Sequence, residues 1–179
     1  PSYKTHRLAA SDDEAEDEVG PQVEIAVEVL NAFGISVAQA EGYEAEDVIA
    51  TLASRTADAV EIVTGDRDLF AIVRDPRVRV LYTLRGVSEL AIVDEGWITA
   101  KYGIPGDRYL DYALLRGEPS DGLPGVPCIG EKTASELLRR YGSLEAILPA
   151  TDLSPTIRAR LNTARDYLAA AMRVVAPVA

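Results

Sequence analysis

The stretch Glu61-Ile62-Val63-Thr64-Gly65-Asp66-Arg67-Asp68 decides the reading of this chain. A β-branched run ends at a Thr-Gly turn and then presents two aspartates two residues apart. β-Branched residues favour strands, and in an α/β fold ligands bind where strands end. Two carboxylates there suit a hard divalent cation, which takes oxygen ligands. The same pair also reads as ordinary polar residues capping a short helix from Leu69. A second acidic cluster, Glu44-Ala45-Glu46-Asp47, opens a helix upstream, and a third, Glu118-Pro119-Ser120-Asp121, follows downstream. Carboxylates on three separate elements point to metal-dependent hydrolysis of phosphate esters.

Outward from that stretch, strands alternate with helices. Residues 23–33 carry apolar side chains at Val23, Ala26, Val27, Leu30 and Phe33, a helical spacing that Gly34 stops. Residues 35–40 read as a short strand and 45–56 as a helix with Val48, Ile49, Leu52 and Ala53 inward. Residues 60–63 read as a buried strand and 69–73 as a short helix. Strands at 78–82 and 90–93 flank a turn at Arg85-Gly86. Asp94 caps a helix through Tyr102, and Pro105 starts another over 107–115. Residues 117–130, rich in Gly and Pro, form a loop, and 131–141 a helix stopped by Gly142. Helices at 144–148 and 156–174 complete the chain. The alternation predicts an α/β fold, a parallel sheet flanked by helices, followed by a helical region. The expected organisation is a mobile segment over 1–20, an α/β core over 21–116 that carries the first two acidic clusters, a glycine-rich loop with its helices over 117–148 and a C-terminal helix over 149–179.

With 179 residues, one substantial domain is expected, and 47% hydrophobic content is that of a globular protein. No run of about 18 apolar residues spans a membrane. One cysteine, Cys128, excludes an intrachain disulfide and fits a reducing cytoplasmic compartment. One histidine, His6, disfavours a zinc site of the usual ligands. The net charge of −11 argues against nucleic acid when taken alone. Two features soften that objection: six acids lie in one run at 12–18, and bound metal would offset the charge of several others. Pro1 opens the chain without a methionine, so a preceding segment is expected.

Four motifs together resemble one family, the 5′ nucleases: flap endonucleases and the 5′-to-3′ exonuclease domain of bacterial DNA polymerase I. They are Tyr3-Lys4-x-x-Arg7, the run Gly42-Tyr43-Glu44-Ala45-Glu46-Asp47-Val48-Ile49-Ala50, the run Thr64-Gly65-Asp66-Arg67-Asp68-Leu69, and Ser120-Asp121-Gly122-Leu123-Pro124-Gly125-Val126-x-x-Ile129-Gly130-Glu131-Lys132-Thr133-Ala134. Each alone is weak; the four in order are specific. The resemblance implies a PIN-like 5′ nuclease core, an arch that admits single-stranded DNA, and a helix-two-turn-helix that holds duplex. It implies two or more Mg²⁺ or Mn²⁺ ions on Glu44, Glu46, Asp47, Asp66, Asp68, Glu118 and Asp121, with further ligands ahead of Pro1. It makes Lys4 and Arg7 catalytic cations at the base of the arch. DNA contacts fall to Tyr3, Lys4, Arg7, Gly125, Gly130, Lys132, Thr133 and Arg139, with a K⁺ ion on the glycine-loop carbonyls. The partner implied is DNA with a 5′ flap or free 5′ end, bound by a monomer associated with the bacterial nucleoid. Glu46 and Glu118 stand where bacterial members usually carry Asp. Glu46 and the acidic run favour a stand-alone flap endonuclease.

Plainer readings stand beside these. Acids in a first helical turn are favoured by the helix dipole, which accounts for one or two of Glu44, Glu46 and Asp47. Asp121 suits a turn, and residues 125–134 suit a helix connector. Lys132 at a glycine-rich helix start would hold phosphate. Two further functions remain open. An aspartyl-nucleophile phosphohydrolase would need a small hydroxyl residue after the motif, where Leu69 and Phe70 stand. A non-catalytic duplex-binding fragment would use residues 117–148 alone.

Overall fold

The computed structural model describes residues 19–119 and 122–175. In chain order they form α1 (Val19–Ala32), α2 (Ala45–Arg55), β1 (Val60–Thr64), a 3-10 turn (Asp68–Ile72), β2 (Val78–Thr83) and β3 (Leu90–Val93). The helices α3 (Glu95–Tyr102), α4 (Tyr109–Arg116), α5 (Glu131–Tyr141), α6 (Leu144–Ile147), α7 (Pro155–Thr163) and α8 (Arg165–Val175) follow. Most of the expected segment over 1–20 lies outside the described residues; Val19 and Gly20 already belong to α1.

The sheet is mixed, which corrects the expectation of a parallel one. Its order is β1-β2-β3, with β1 parallel to β2 and β2 antiparallel to β3. The reason lies in the connections. A parallel crossover needs a dozen or more residues, and the 3-10 turn with its flanks supplies them between β1 and β2. The link from Thr83 to Leu90 is too short for that and closes a hairpin, with Leu84 N–H donating to Glu89 O at 2.9 Å. Inward side chains alternate along the strands as the pleat requires, Ile62 on β1, Val78 and Val80 on β2 and Val93 on β3.

Aromatic rings join the sheet to the helical region. Phe70, on the 3-10 turn, is 1% exposed and meets Tyr82, Trp97 and Tyr109 edge-on, with centroids 5.3, 5.8 and 5.2 Å away. Tyr102 continues the cluster to Tyr109 and Tyr112. Edge-to-face rings add to simple burial, so the turn carrying Asp68 is fixed against α3 and α4. The core then runs without interruption into α5, through Ala134, Leu137 and Leu138, and on to Leu144, Ile147 and Leu168.

Helix ends follow local chemistry. Asp94 accepts from Trp97 N–H at 2.6 Å and starts α3. Ile35 N–H donates to Leu30 O and Gly34 N–H to Asn31 O, with Gly34 at φ 72°, a Schellman closure of α1. Three expectations are corrected. Residues 35–40 form no strand, because no strand among the described residues pairs with them; Ile35 is 53% and Val37 42% exposed. The helix expected over 107–115 starts at Tyr109, because Gly106 passes tightly under α3, where a Cβ would lie 2.3 Å from Glu95 Cβ. The helix expected over 156–174 is two, broken at the buried Ala164.

Asp111 on α4 holds the start of α6, accepting from Leu144 N–H at 3.0 Å. Burial pushes its carboxyl above the usual carboxylate range, against the Leu144 hydrogen bond and Arg108, which pull it down. An acid raised in the folded state binds its proton more readily folded than unfolded. Stability therefore falls as pH climbs from the ordinary aspartate range through the raised value. Asp111→Asn keeps an acceptor for Leu144 and removes the charge. Melting temperature measured against pH is expected to lose that downward step in the variant, and an unchanged profile would contradict the assignment.

Candidate active site

The C-terminal end of β1 is built by short hydrogen bonds. Thr64 Oγ1 accepts from Asp66 N–H at 2.9 Å, and Asp66 Oδ1 accepts from Asp68 N–H at 2.9 Å. Thr83 Oγ1 donates to Thr64 O at 3.4 Å, and a Cβ on Gly65 would lie 3.0 Å from that hydroxyl, so the turn sits against the end of β2. Both aspartates are half-buried. The capping reading and the ligand reading coexist here. One Asp66 oxygen holds the turn, which fixes the direction of its carboxylate.

At the start of α2, Glu44 and Asp47 cap each other reciprocally, and Glu44 N–H donates to Asp47 Oδ2 at 3.2 Å. The plain account of acids in a first turn therefore holds for that pair, whatever else they bind. Glu46 is half-buried beside them. Helix α2 packs on the 3-10 turn that begins at Asp68.

Glu118 pairs with Arg116 Nη2, and both side chains are largely shielded. Its backbone exchanges two hydrogen bonds with Leu123, 3.0 Å each. Asp121, Tyr3, Lys4 and Arg7 lie outside the described residues. Among the described residues, no three His, Cys, Asp or Glu side chains converge as a ligand group. The hard oxygen donors of Asp66 and Asp68 fit a divalent cation in type. The described residues alone do not close a ligand set around one.

Gly117 and Gly125 let two stretches of backbone touch. A Cβ on Gly125 would lie 2.4 Å from Arg116 O, and one on Gly117 2.6 Å from Gly125 N; both residues have positive φ, +70° and +83°. Gly130 starts α5 with open space around it. Cys128 has φ 59°, a left-handed conformation that costs a side chain about 1–2 kcal/mol. Its carbonyl accepts from Arg160 Nη1 at 3.1 Å. Cys128→Gly is expected to raise stability by about 0.5–1 kcal/mol, about 2 °C in melting temperature. A lower melting temperature would mean that the thiol packs usefully.

Sequence reasoning missed a cleft beside the aspartate turn. It measures about 440 Å³ and is lined by Arg67 from the turn, Lys101 and Tyr102 from α3, Arg116 from α4, and Lys132 from α5, among others. Of the expected DNA contacts, Lys132 lies in it. Thr133 borders a separate hollow with Arg140 and Tyr141, and Arg139 is exposed on α5. Only the fold assembles these cations, which are spread over about 65 positions of sequence.

Two family descriptions match the chain: the 5′-3′ exonuclease N-terminal resolvase-like domain over residues 1–103 and the 5′-3′ exonuclease C-terminal SAM fold over residues 104–177. The chain belongs to the 5′-3′ exonuclease family. Its relatives include a 5′-3′ exonuclease of Streptomyces coelicolor, 51% identical over 187 residues, 98% of this chain and 62% of that protein. One from Mycobacterium tuberculosis is 46% identical over 194 residues, 98% and 61% of the two chains. DNA polymerase I of Mycobacterium bovis is 42% identical over 177 residues, 97% of this chain and 19% of that one. The chain thus spans about three-fifths of the exonucleases it matches. Among solved structures, a complex of the bacteriophage T5 flap endonuclease with DNA and metal ions superposes with a TM-score of 0.74 at 18% identity, covering 99% of this chain and 68% of that one. The catalytic core of Rad2 with DNA substrate gives 0.51 at 19%, covering 89% and 53%. These structures share the fold of this 5′-3′ exonuclease family member, a resolvase-like sheet domain followed by a helical SAM-like region.

Proposed function

We propose that this chain carries the metal-binding and DNA-holding parts of a structure-specific 5′ nuclease that cuts flaps and free 5′ ends in DNA replication and repair. The observation that carries the reading is the fixed Asp66–Asp68 turn at the end of a parallel strand, whose Arg67 lines a cation-rich cleft in a chain of net charge −11. Asp66 and Asp68 would hold a divalent cation, Mg²⁺ or Mn²⁺, with Glu44, Glu46, Asp47, Glu118 and Asp121 as the further acids. When bound, such ions supply an activated water and neutralise charge on the leaving oxygen.

The chain's own residues do the rest. The Asp68 N–H to Asp66 Oδ1 bond orients one carboxylate before substrate arrives. Lys4 and Arg7 would stabilise developing phosphoryl charge, and Tyr3 would stack on a base. Gly125, Gly130, Lys132, Thr133 and Arg139 would grip duplex, with the α5 N-terminus turned to phosphate. K⁺ at the glycine loop would have to use carbonyls other than that of Cys128, which Arg160 already engages. Among the described residues no helix is long and apolar enough to cross a membrane; a monomer in the bacterial cytoplasm is the setting proposed. The relatives named 5′-3′ exonuclease are nearer in identity than DNA polymerase I, which supports a stand-alone enzyme.

A substrate panel tests this reading with the intact protein and Mn²⁺: a 5′-flap duplex, a 3′-flap duplex and p-nitrophenyl phosphate. Cutting of the 5′ flap near its junction, with the 3′ flap spared, is expected. Hydrolysis of the monoester alone would revive the aspartyl-nucleophile phosphohydrolase.

A further inference from the structure

The cleft beside the aspartate turn has a charge distribution that the metal chemistry does not use. Arg67, Lys101 and Lys132 converge on it, and among the described residues none of the three makes an ion pair. Arg67 Nε donates to a neutral partner, the Tyr82 hydroxyl, at 3.2 Å. Lys101 Nζ sits 4.4 Å over the Trp97 ring and 5.6 Å over that of Tyr102. Lys132 is exposed on the first turn of α5. The fourth cation, Arg116, is neutralised by Glu118 and by Glu131 at 3.3 Å. Four cations thus line the cleft against one acid, Glu131, so its wall carries net positive charge in a chain of net charge −11. An anion would relieve that.

Buried polar atoms point the same way. Among the described residues, the Tyr102 hydroxyl and Arg116 Nε are buried without a hydrogen-bond partner, and native structures rarely leave such groups unmet. The Tyr102 and Tyr109 rings lie 5.2 Å apart, centroid to centroid, without a hydrogen bond of good geometry from the Tyr102 hydroxyl. Burial pushes the Tyr112 hydroxyl up to about 12 and that of Tyr109 higher still, so both stay protonated at working pH. At about 440 Å³ the cleft falls within the range of small-ligand sites. Arg67 stands between Asp66 and Asp68, so one wall begins at the proposed metal turn.

We infer that this cleft is a nucleotide subsite, in which Arg67, Lys101 and Lys132 grip the phosphate next to the scissile one and Tyr102 donates its hydroxyl to it. The inference rests on the nuclease reading for the position of the scissile phosphate. The anion site itself does not depend on that reading.

The test titrates the intact chain with 5′-phosphorylated pentathymidylate in EDTA. Binding is followed by fluorescence of Trp97, the only tryptophan, whose ring lies against Lys101. Arg67→Gln and Lys101→Gln are each expected to weaken binding about tenfold and to lower the salt slope by about 0.7; Lys101→Arg restores most of the affinity. Tyr102→Phe is expected to raise the melting temperature, by removing an unmet polar atom, and yet to weaken binding severalfold. A purely structural tyrosine would change the first and leave the second. Arg85→Gln, on an exposed hairpin turn, changes neither. Oligonucleotide binding that ignores Arg67 and Lys101 while the parent still cuts flap DNA would overturn the subsite and leave the nuclease reading intact. Binding that needs Arg67 and Lys101, in a protein that cuts no DNA, would support the anion site and sink the nuclease reading.

Discussion

Asp68→Ala in the intact protein is expected to lower metal-dependent cleavage by about a thousandfold or more while leaving DNA binding within about threefold. The size follows from the several kcal/mol that bound metal contributes to a phosphoryl-transfer transition state, at 1.36 kcal/mol per factor of ten. The selectivity follows from geometry. Asp68 contributes its backbone N–H to the turn, through Asp66 Oδ1, and that bond survives loss of the side chain. The aromatic packing of Phe70 also remains. Single-turnover cleavage of a flap duplex, paired with a binding isotherm, checks both halves. Retained cleavage would remove Asp68 from the metal site. A collapse of binding would mean that the turn, and not the chemistry, had been lost.

The second large effect is on folding. Gly125→Ala is expected to destabilise the protein by about 3 kcal/mol or more. Its left-handed φ costs an alanine about 1–2 kcal/mol, and a Cβ 2.4 Å from Arg116 O adds overpacking of about 1–3 kcal/mol. The movement would displace the loop carrying Glu118 and the start of α5 with Lys132, so DNA affinity should fall as well. Gly130→Ala is the contrast. Nothing lies within 4 Å of its added Cβ and its φ of −93° suits any residue, so only the cost of a poorer N-cap, about 1 kcal/mol, is expected. Urea midpoints measured side by side decide it. Equal midpoints for the two variants would show that the 117–125 backbone contact yields easily.

How far the sequence revealed this arrangement depends on the range of the interaction. Asp94, Gly34 and Gly142 were readable because capping is decided within a few residues, and each ends or starts a helix as expected. The Asp66–Asp68 turn was readable for the same reason. The orientation of β3 was missed although the turn at Arg85-Gly86 was recognised, since its shortness alone forces the antiparallel pairing. Residues 35–40 have the composition of a strand, but pairing, not propensity, makes a strand. The break at Ala164 carries no glycine or proline to mark it. The cleft was invisible for a different reason. Arg67, Lys101 and Lys132 come from three elements, and no spacing in the sequence joins them. Glu118 shows the converse: the motif named it as a ligand, while the fold gives it Arg116 as a neighbour.

Cleavage of DNA through metal held at the Asp66–Asp68 turn, as proposed above, is open to a direct test. The most direct measurement is cleavage of a 5′-labelled flap duplex by the intact protein, first in EDTA and then after Mg²⁺ or Mn²⁺ is restored in excess. No cutting is expected in EDTA, and cutting close to the flap junction is expected once metal returns. Cutting that persists in EDTA would contradict the metal mechanism, and tight binding without cutting in either metal would make the chain a duplex-binding module.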